Sequence, residues 1–321
     1  LPRFALVVLL IISSGCGSIA TKENVTEVSS PKKKIVFIAG KDSHAKGEHE
    51  HEAGVALLAK CLERGLDNVE VSVTLGGWPE DKTVLAGADT IVIYCDGGEK
   101  HHVANHNLEA LDGILDAGTG IVCIHYAVEV AKGSESSKRL LRGIGGYFET
   151  DYSVNPHWRA DFKTLPTHPI TRGVKPFEMK DEWYFNMRFQ DDMKGVTPIL
   201  SAVPDESTMN RKDGARSGNH AVRAMVKAKQ TQHVAWAYER PDGGRGFGFT
   251  GGHFHKNWDN DDFRKTILNA IAWTAHIEVP NEGVETVVYI GRSVEQQEDV
   301  EVPLDRFAVP DDLEITLWAQ S

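Results

Sequence analysis

Cysteine is scarce in this sequence, with four in 321 residues, at Cys16, Cys61, Cys95 and Cys123. Cys16 lies in an N-terminal leader, and the other three are odd in number, widely spaced and set inside apolar stretches. That excludes a disulfide framework and marks them as small buried hydrophobes. Basic charge is also short: 35 Lys and Arg stand against 46 Asp and Glu, for a net charge of -11. Nucleic-acid binding needs a basic face, so no nucleic-acid partner is expected and neutral or polar small molecules fit better. The apolar run Phe4 to Ile12 falls short of the roughly 20 residues that span a bilayer. No internal repeat or low-complexity block is visible. What remains, 41% hydrophobic and 25% charged residues, is ordinary globular composition.

The leader fits a secretory signal peptide, with Arg3 before the apolar run and small residues after it. Ser13-Ser14-Gly15-Cys16 looks like a bacterial lipobox, in which the cysteine becomes the lipidated first residue. Ser13 stands where an aliphatic residue is usual, which leaves ordinary cleavage or retention as an anchor open. Residues 17–31 are polar and without periodicity, as in a flexible tether. Residues 1–16 are therefore expected to export the protein to the cell envelope or periplasm. Lipid on Cys16 would hold it at the membrane.

From Lys33 onward, strand-like and helix-like segments alternate. Apolar runs at 33–39, 69–75, 90–95 and 120–124 end in Gly, Asp or His, as buried parallel strands do. Helical spacing appears over 48–64, 106–117 and 261–274, while 222–226, 233–238 and 246–250 read as further strands. The alternation predicts an α/β fold with a parallel sheet covered on both faces. The middle, 143–213, is irregular, and the character changes again after 277.

Several stretches, taken in order, resemble the ThuA-like (trehalose utilisation) family. They are Ser43-His44-Ala45-Lys46-Gly47-Glu48-His49-Glu50, Cys123-Ile124-His125-Tyr126-Ala127, His168-Pro169-Ile170 with Gly173-Val174, and Phe177 with Asp181-Glu182-Trp183-Tyr184. Gly244-Arg245-Gly246, Gly251-Gly252-His253 and Ala272-Trp273 complete the set. Cys123 departs from the glycine usual at its place. The resemblance implies a flavodoxin-like, class I glutamine amidotransferase-like three-layer sandwich over 32–277, and a link to disaccharide and keto-sugar metabolism. The extension 278–321 resembles the lead-in to a sugar-dehydrogenase-type propeller, or else it is a strand packing back on the domain. The resemblance also implies what the chain does not do. Class I amidotransferases carry a nucleophilic cysteine on the turn after a central strand, where this sequence has His125; Cys123, inside the strand, is unsuited to glutamine hydrolysis.

In open parallel sheets the functional crevice lies beyond the carboxyl ends of the strands. That rule gathers His44, Glu48 and His49 after the first strand, Asp96 after the third, His125 after the fourth, and His253 with His255 after a late strand. Histidine serves both proton transfer near neutral pH and metal binding. His125, Glu182 and His253 are the expected catalytic residues. A carboxylate among aromatic rings can have its pKa raised, which would make Glu182 a general acid. His49, Asp96, His157, Trp158, Trp183, Tyr184 and His255 are expected to bind substrate, the rings by stacking on a sugar. His49, His125 and His253 could instead hold a divalent metal such as zinc. Of His49 and His51, which diverge on a helix, His49 is the expected ligand and His51 the solvated one; His101, His102 and His220 also read as solvated.

Two function classes follow. One is an enzyme acting on a sugar or keto-sugar through acid-base or metal-assisted chemistry. The other is a sugar-binding or scaffold module working beside a sugar dehydrogenase.

Overall fold

A seven-stranded sheet, in the order β2-β1-β3-β4-β11-β10-β9, organises the structure, a computed structural model describing residues 31–101 and 107–286. Its strands are β1 (Lys33–Ala39), β2 (Val69–Thr74), β3 (Thr90–Tyr94), β4 (Gly120–Ile124), β9 (Val196–Ala202), β10 (Gln232–Glu239) and β11 (Arg245–Phe249). The first five in spatial order run parallel, and β10 is antiparallel to both of its neighbours. The parallel part has the doubly wound 2-1-3-4-5 order of flavodoxin-like folds, with β11 in fifth place. This is the α/β fold class the sequence implied.

Residue alternation builds the two layers. Along β1, Ile35, Phe37 and Ala39 enter one core while Val36 and Ile38 enter the other, and all five are fully buried. Successive strand residues point to opposite faces, so a strand covered on both sides must be apolar throughout. Helices α1 (His51–Gly65) and α5 (Asp261–Thr274) fill the first core through Val55, Leu58, Leu62, Phe263, Ile267 and Ile271. Helices α2 (Leu108–Asp116) and α3 (Glu135–Ile144) fill the second through Leu111, Leu115, Leu140 and Ile144. Each such side chain contributes about 1.5–3 kcal/mol by leaving water.

The irregular middle contains two small ribbons. One pairs β5 (Gly146–Tyr147) with β8 (Arg188–Phe189), and the other pairs β6 (Trp158–Phe162) with β7 (Phe177–Asp181). In β6, Trp158, Ala160 and Phe162 are buried while Arg159 and Asp161 are exposed, so the second ribbon lies with one face on the core. Its β7 end delivers Asp181 and Glu182 to the sheet's carboxyl edge.

One expectation is corrected, and one left open is narrowed. Residues 222–226 are not a strand but part of helix α4 (His220–Lys227). Asn219 caps it by accepting from the Val222 amide, and Val222 and Val226, one turn apart, supply its buried stripe. The domain also runs past 277. Val279 and Val284 are buried, the Val284 amide donates to Asn269 Oδ1, and Arg264 donates to the Thr286 carbonyl. The start of the expected extension is therefore part of the packed domain. The leader, the tether, Cys16, His102 and residues 287–321 lie outside the described residues. Among the described residues no helix is long and apolar enough to cross a membrane.

Candidate functional site

Four adjacent parallel strands, β1, β3, β4 and β11, end on one edge of the sheet, and each sends a polar side chain into the same space. The β1 loop brings His49, β3 is followed by Asp96, β4 by His125, and β11 by Thr250-Gly251-Gly252-His253. Glu182 enters from the end of β7. One ligand atom from each of His49, His125, His253 and Glu182 lies within 4.8 Å of the others. His49 and His125 both have left-handed backbone, with φ of 45° and 54°. Such conformations cost about 1–3 kcal/mol in residues with a side chain and gather at functional sites. His49 precedes α1 rather than lying on it, so the divergence of residues two apart on a helix does not govern it.

The hydrogen bonds assign the protons. His125 Nδ1 lies 2.8 Å from the Thr250 carbonyl, which can only accept, so this nitrogen carries the proton and Nε2 presents a lone pair. His49 Nδ1 lies 3.2 Å from Asp96 Oδ1, and Ser43 Oγ donates to the same oxygen at 2.8 Å. Burial pushes the Asp96 carboxyl up, but the His49 and Ser43 bonds bring it down to about 2, so it is ionised and accepts. His49 Nε2 is thereby left as a second lone pair. It lies 3.1 Å from His125 Nε2 and 3.0 Å from His253 Nδ1. Glu182 Oε2 is 3.5 Å from His125 Nε2 and 3.3 Å from His253 Nδ1.

These four spacings, 3.0–3.5 Å, match the roughly 3.3 Å between neighbouring ligands that lie about 2.0–2.1 Å from a zinc ion, and the two remaining pairs lie within 4.8 Å. Metal-ligating histidines usually donate their other ring N–H to a carboxylate or backbone carbonyl, as His49 and His125 do here. Three imidazole nitrogens and one carboxylate suit zinc or another borderline divalent cation. The same side chains also form an acid-base network. Tyr184 Oη lies 3.1 Å from His125 Nε2. Burial lowers the His49 pKa to about 3. Burial also opposes charge on His253, yet its bond to Glu182 and the carboxylates around it raise its pKa.

Glu182 differs from expectation. Burial among aromatic residues pushes its pKa up, but the bonds to His125 and His253 outweigh this and hold it well below the usual carboxylate range. It is a carboxylate, not a general acid. Its Oε1 accepts from Asn155 Nδ2 at 2.9 Å, and His157 stands 3.7 Å away. Trp158 and Trp183 do not line the crevice. Both are buried, with Trp158 Nε1 donating to the Trp183 carbonyl and Trp183 Nε1 to the Met179 carbonyl. Tyr184 is also buried and offers its hydroxyl rather than its face. His157 is exposed beside His253, with ring centroids 4.9 Å apart. His255 lies outside the cluster, with Nδ1 3.7 Å from Glu50.

Other histidines are also placed differently from expectation. His51 is buried, with Nδ1 2.9 Å from the Lys41 carbonyl. Its spacing from Val55, Leu58 and Leu62 puts it on the inner stripe of α1, a signal present in the sequence but masked by the charged residues around it. His101 is buried too, bonded through Nε2 to the Ala127 carbonyl, whereas His220 is exposed. Gly251 serves packing rather than ligand approach: a Cβ there would lie 2.5 Å from the Trp183 ring.

Asp181 emerges as a residue that holds the site in place. Its carboxylate accepts from the Gly252 amide at 2.8 Å, the His253 amide at 3.0 Å and Asn257 Nδ2 at 2.9 Å. It clamps the loop that presents His253. Cys123 is buried in β4, and burial raises its thiol pKa far above the ordinary value, which removes the thiolate an amidotransferase needs. A cavity of about 340 Å³ adjoins the cluster, sharing Glu182 and bounded also by Asn155, His157, Thr208 and Arg211.

Several solved structures are similar to this chain. A putative ThuA-like protein from Bacteroides uniformis superposes with a TM-score of 0.52 at 18% identity, over 78% of this chain and 94% of that one. The glutaminase domain of a CTPS from Trypanosoma brucei gives a TM-score of 0.40 at 11% identity, over 79% and 99%. A glutamine amidotransferase from Thermotoga maritima gives 0.41 at 8%, over 77% and 99%. No curated protein matches the sequence. The family profile described as ThuA, trehalose utilisation, matches residues 35–274, and the chain belongs to that family.

Proposed function

We propose that this protein is a metal-dependent enzyme acting on a sugar or keto-sugar at the His49, His125, His253 and Glu182 cluster. The observation that carries the reading is the 3.1 Å approach of two imidazole nitrogens, His49 Nε2 and His125 Nε2, whose partner nitrogens hold the protons. A divalent cation between them would turn two facing lone pairs into two bonds. Once bound, it would act as a Lewis acid on a carbonyl or hydroxyl oxygen of the substrate. The chain's own residues do the rest. Asp96 and the Thr250 carbonyl fix the imidazole orientations, Asp181 fixes the His253 loop, and the buried Tyr184 hydroxyl can donate a hydrogen bond at the His125 edge.

A second reading keeps the residues and omits the metal. It is favoured by the His253–Glu182 pair, 3.3 Å apart, in which the imidazole's pKa is raised and the carboxylate's is lowered, which suits one group to the acid role and the other to the base role. Chelation separates the two readings. Turnover of a panel of sugars and keto-sugars should be lost on metal removal, restored by zinc, and reduced at least a hundredfold in His125→Ala. Turnover that survives both chelation and His125→Ala, with Glu182→Gln also active, would contradict both readings. Sugar binding without any turnover would favour a binding module beside a dehydrogenase. The lipobox-like leader supports an exported protein anchored at the cell envelope.

A further inference from the structure

Arg211 is a cation without a counter-ion. No carboxylate of the described residues pairs with it: its Nη2 donates to Asn155 Oδ1 at 3.0 Å, while its Nη1 is shielded from solvent and has no acceptor. Burial lowers its pKa, and only the more distant charge of Glu182 works against that. A guanidinium in such surroundings usually meets a carboxylate or phosphate, which its fork of donors fits in bidentate fashion. Contrast Arg216, nearby in sequence, whose Nε and Nη2 both grip Glu129.

The neighbourhood explains why Glu182 does not serve as that partner. Glu182 turns Oε2 toward His125 and His253 and gives Oε1 to Asn155, whose amide stands between the carboxylate and Arg211. The negative charge of Glu182 is thus directed into the histidine cluster. Arg211 is left to the cavity it lines, whose volume of about 340 Å³ suits a molecule of monosaccharide size.

We infer that this cavity is the recognition subsite for an oxyanion on the substrate, with Arg211 as the anion-binding residue and the substrate therefore a sugar acid or sugar phosphate rather than a neutral sugar. The inference rests on the reading of the cluster as a sugar-acting site and adds the substrate class. The cavity shares Glu182 with the cluster, so a ring seated against Arg211 would lie beside the carboxylate that faces His125 and His253.

Calorimetric titration of the full-length protein, as purified, with D-glucuronate, D-glucose 6-phosphate and D-glucose tests this, with metal content measured on the same samples. At least one of the two acids should bind tenfold or more tightly than glucose, and the better of them shows whether carboxylate or phosphate is the natural group. Arg211→Gln should lose that preference by roughly tenfold to a hundredfold, as expected for a charge-assisted bond, with Arg211→Lys intermediate and metal content unchanged. Equal binding of all three, or no binding by any, overturns the inference. So does an acid preference that survives Arg211→Gln. Loss of metal in Arg211→Gln with the preference intact would make Arg211 a support for Glu182 instead. An acid preference in protein that holds no metal would uphold this subsite while removing the metal-dependent reading.

Discussion

His49 and His125 face each other through their Nε2 atoms at 3.1 Å, and each ring is fixed in that pose by a bond from its other nitrogen, to Asp96 in one case and to the Thr250 carbonyl in the other. The two residues are 76 apart in sequence, yet they follow strands β1 and β4, which are separated only by β3. The topology makes the encounter, and the second bonds orient it.

Asp181→Ala should damage stability and the site together. The substitution leaves the Gly252 and His253 amides without their acceptor in a buried setting, and leaves Asn257 Nδ2 with the Lys180 carbonyl for only one of its two N–H groups. Each unpaired group costs about 1–3 kcal/mol, so a loss of roughly 3–5 kcal/mol is expected in chemical denaturation. Metal affinity should fall as well. A change below about 1 kcal/mol would show that the clamp is dispensable.

Gly251→Ala tests the packing role assigned to that glycine. The new Cβ would meet the Trp183 ring at 2.5 Å, and overpacking of this kind costs about 1–3 kcal/mol. Thermal unfolding should show a lowered midpoint. An unchanged midpoint with weakened ligand binding would show instead that Gly251 acts at the crevice.

These two cases show how far the sequence could be read. The strands were legible because β1, β3 and β4 are apolar on both faces, and the convergence of His49, His125 and His253 was legible because carboxyl-end loops of one parallel sheet share an edge. The charge state of Glu182 was not, because it depends on imidazoles delivered by other strands. Trp183 sits beside Glu182 in sequence but points into the core, and neighbouring residues in an irregular segment carry no period from which to tell this. Arg211 lies in a loop with no pattern at all, and only the fold brings it to Asn155 and Glu182. Residues 222–226 misled through their valines, since the Asn219 cap and the one-turn valine spacing were the stronger signals.

Asp96 should give stability a pH dependence in the acid range. Its folded pKa is about 2 against an ordinary 3.8, so its contribution is fully present above about pH 4 and is lost as pH falls toward 2. The effect is on the order of 2 kcal/mol. Denaturation measured in metal-free buffer from pH 5 to pH 2 should show this loss in the wild type and a shallower one in Asp96→Asn. Identical pH profiles would remove Asp96 from the network.

Cys16→Ser should move the protein, expressed in a bacterial host with its leader, from the membrane fraction to the soluble envelope fraction. Unchanged membrane association of the variant would end the lipid-anchor proposal, and retention of both forms in the cytoplasm would end the export proposal.

Metal content per chain is the most direct test of the cluster. Protein purified without chelators or a polyhistidine tag, supplied with zinc and freed of excess, should hold close to one divalent ion per chain by mass spectrometry of the elements. His49→Ala and His125→Ala should each lower that to near zero, and affinity in the wild type should fall as the pH drops, because protons compete for the ligand nitrogens, at His253 first since its pKa is raised. Wild-type protein that stays metal-free under these conditions, or histidine variants that keep their ion, would contradict the assignment of His49, His125, His253 and Glu182 as a metal site.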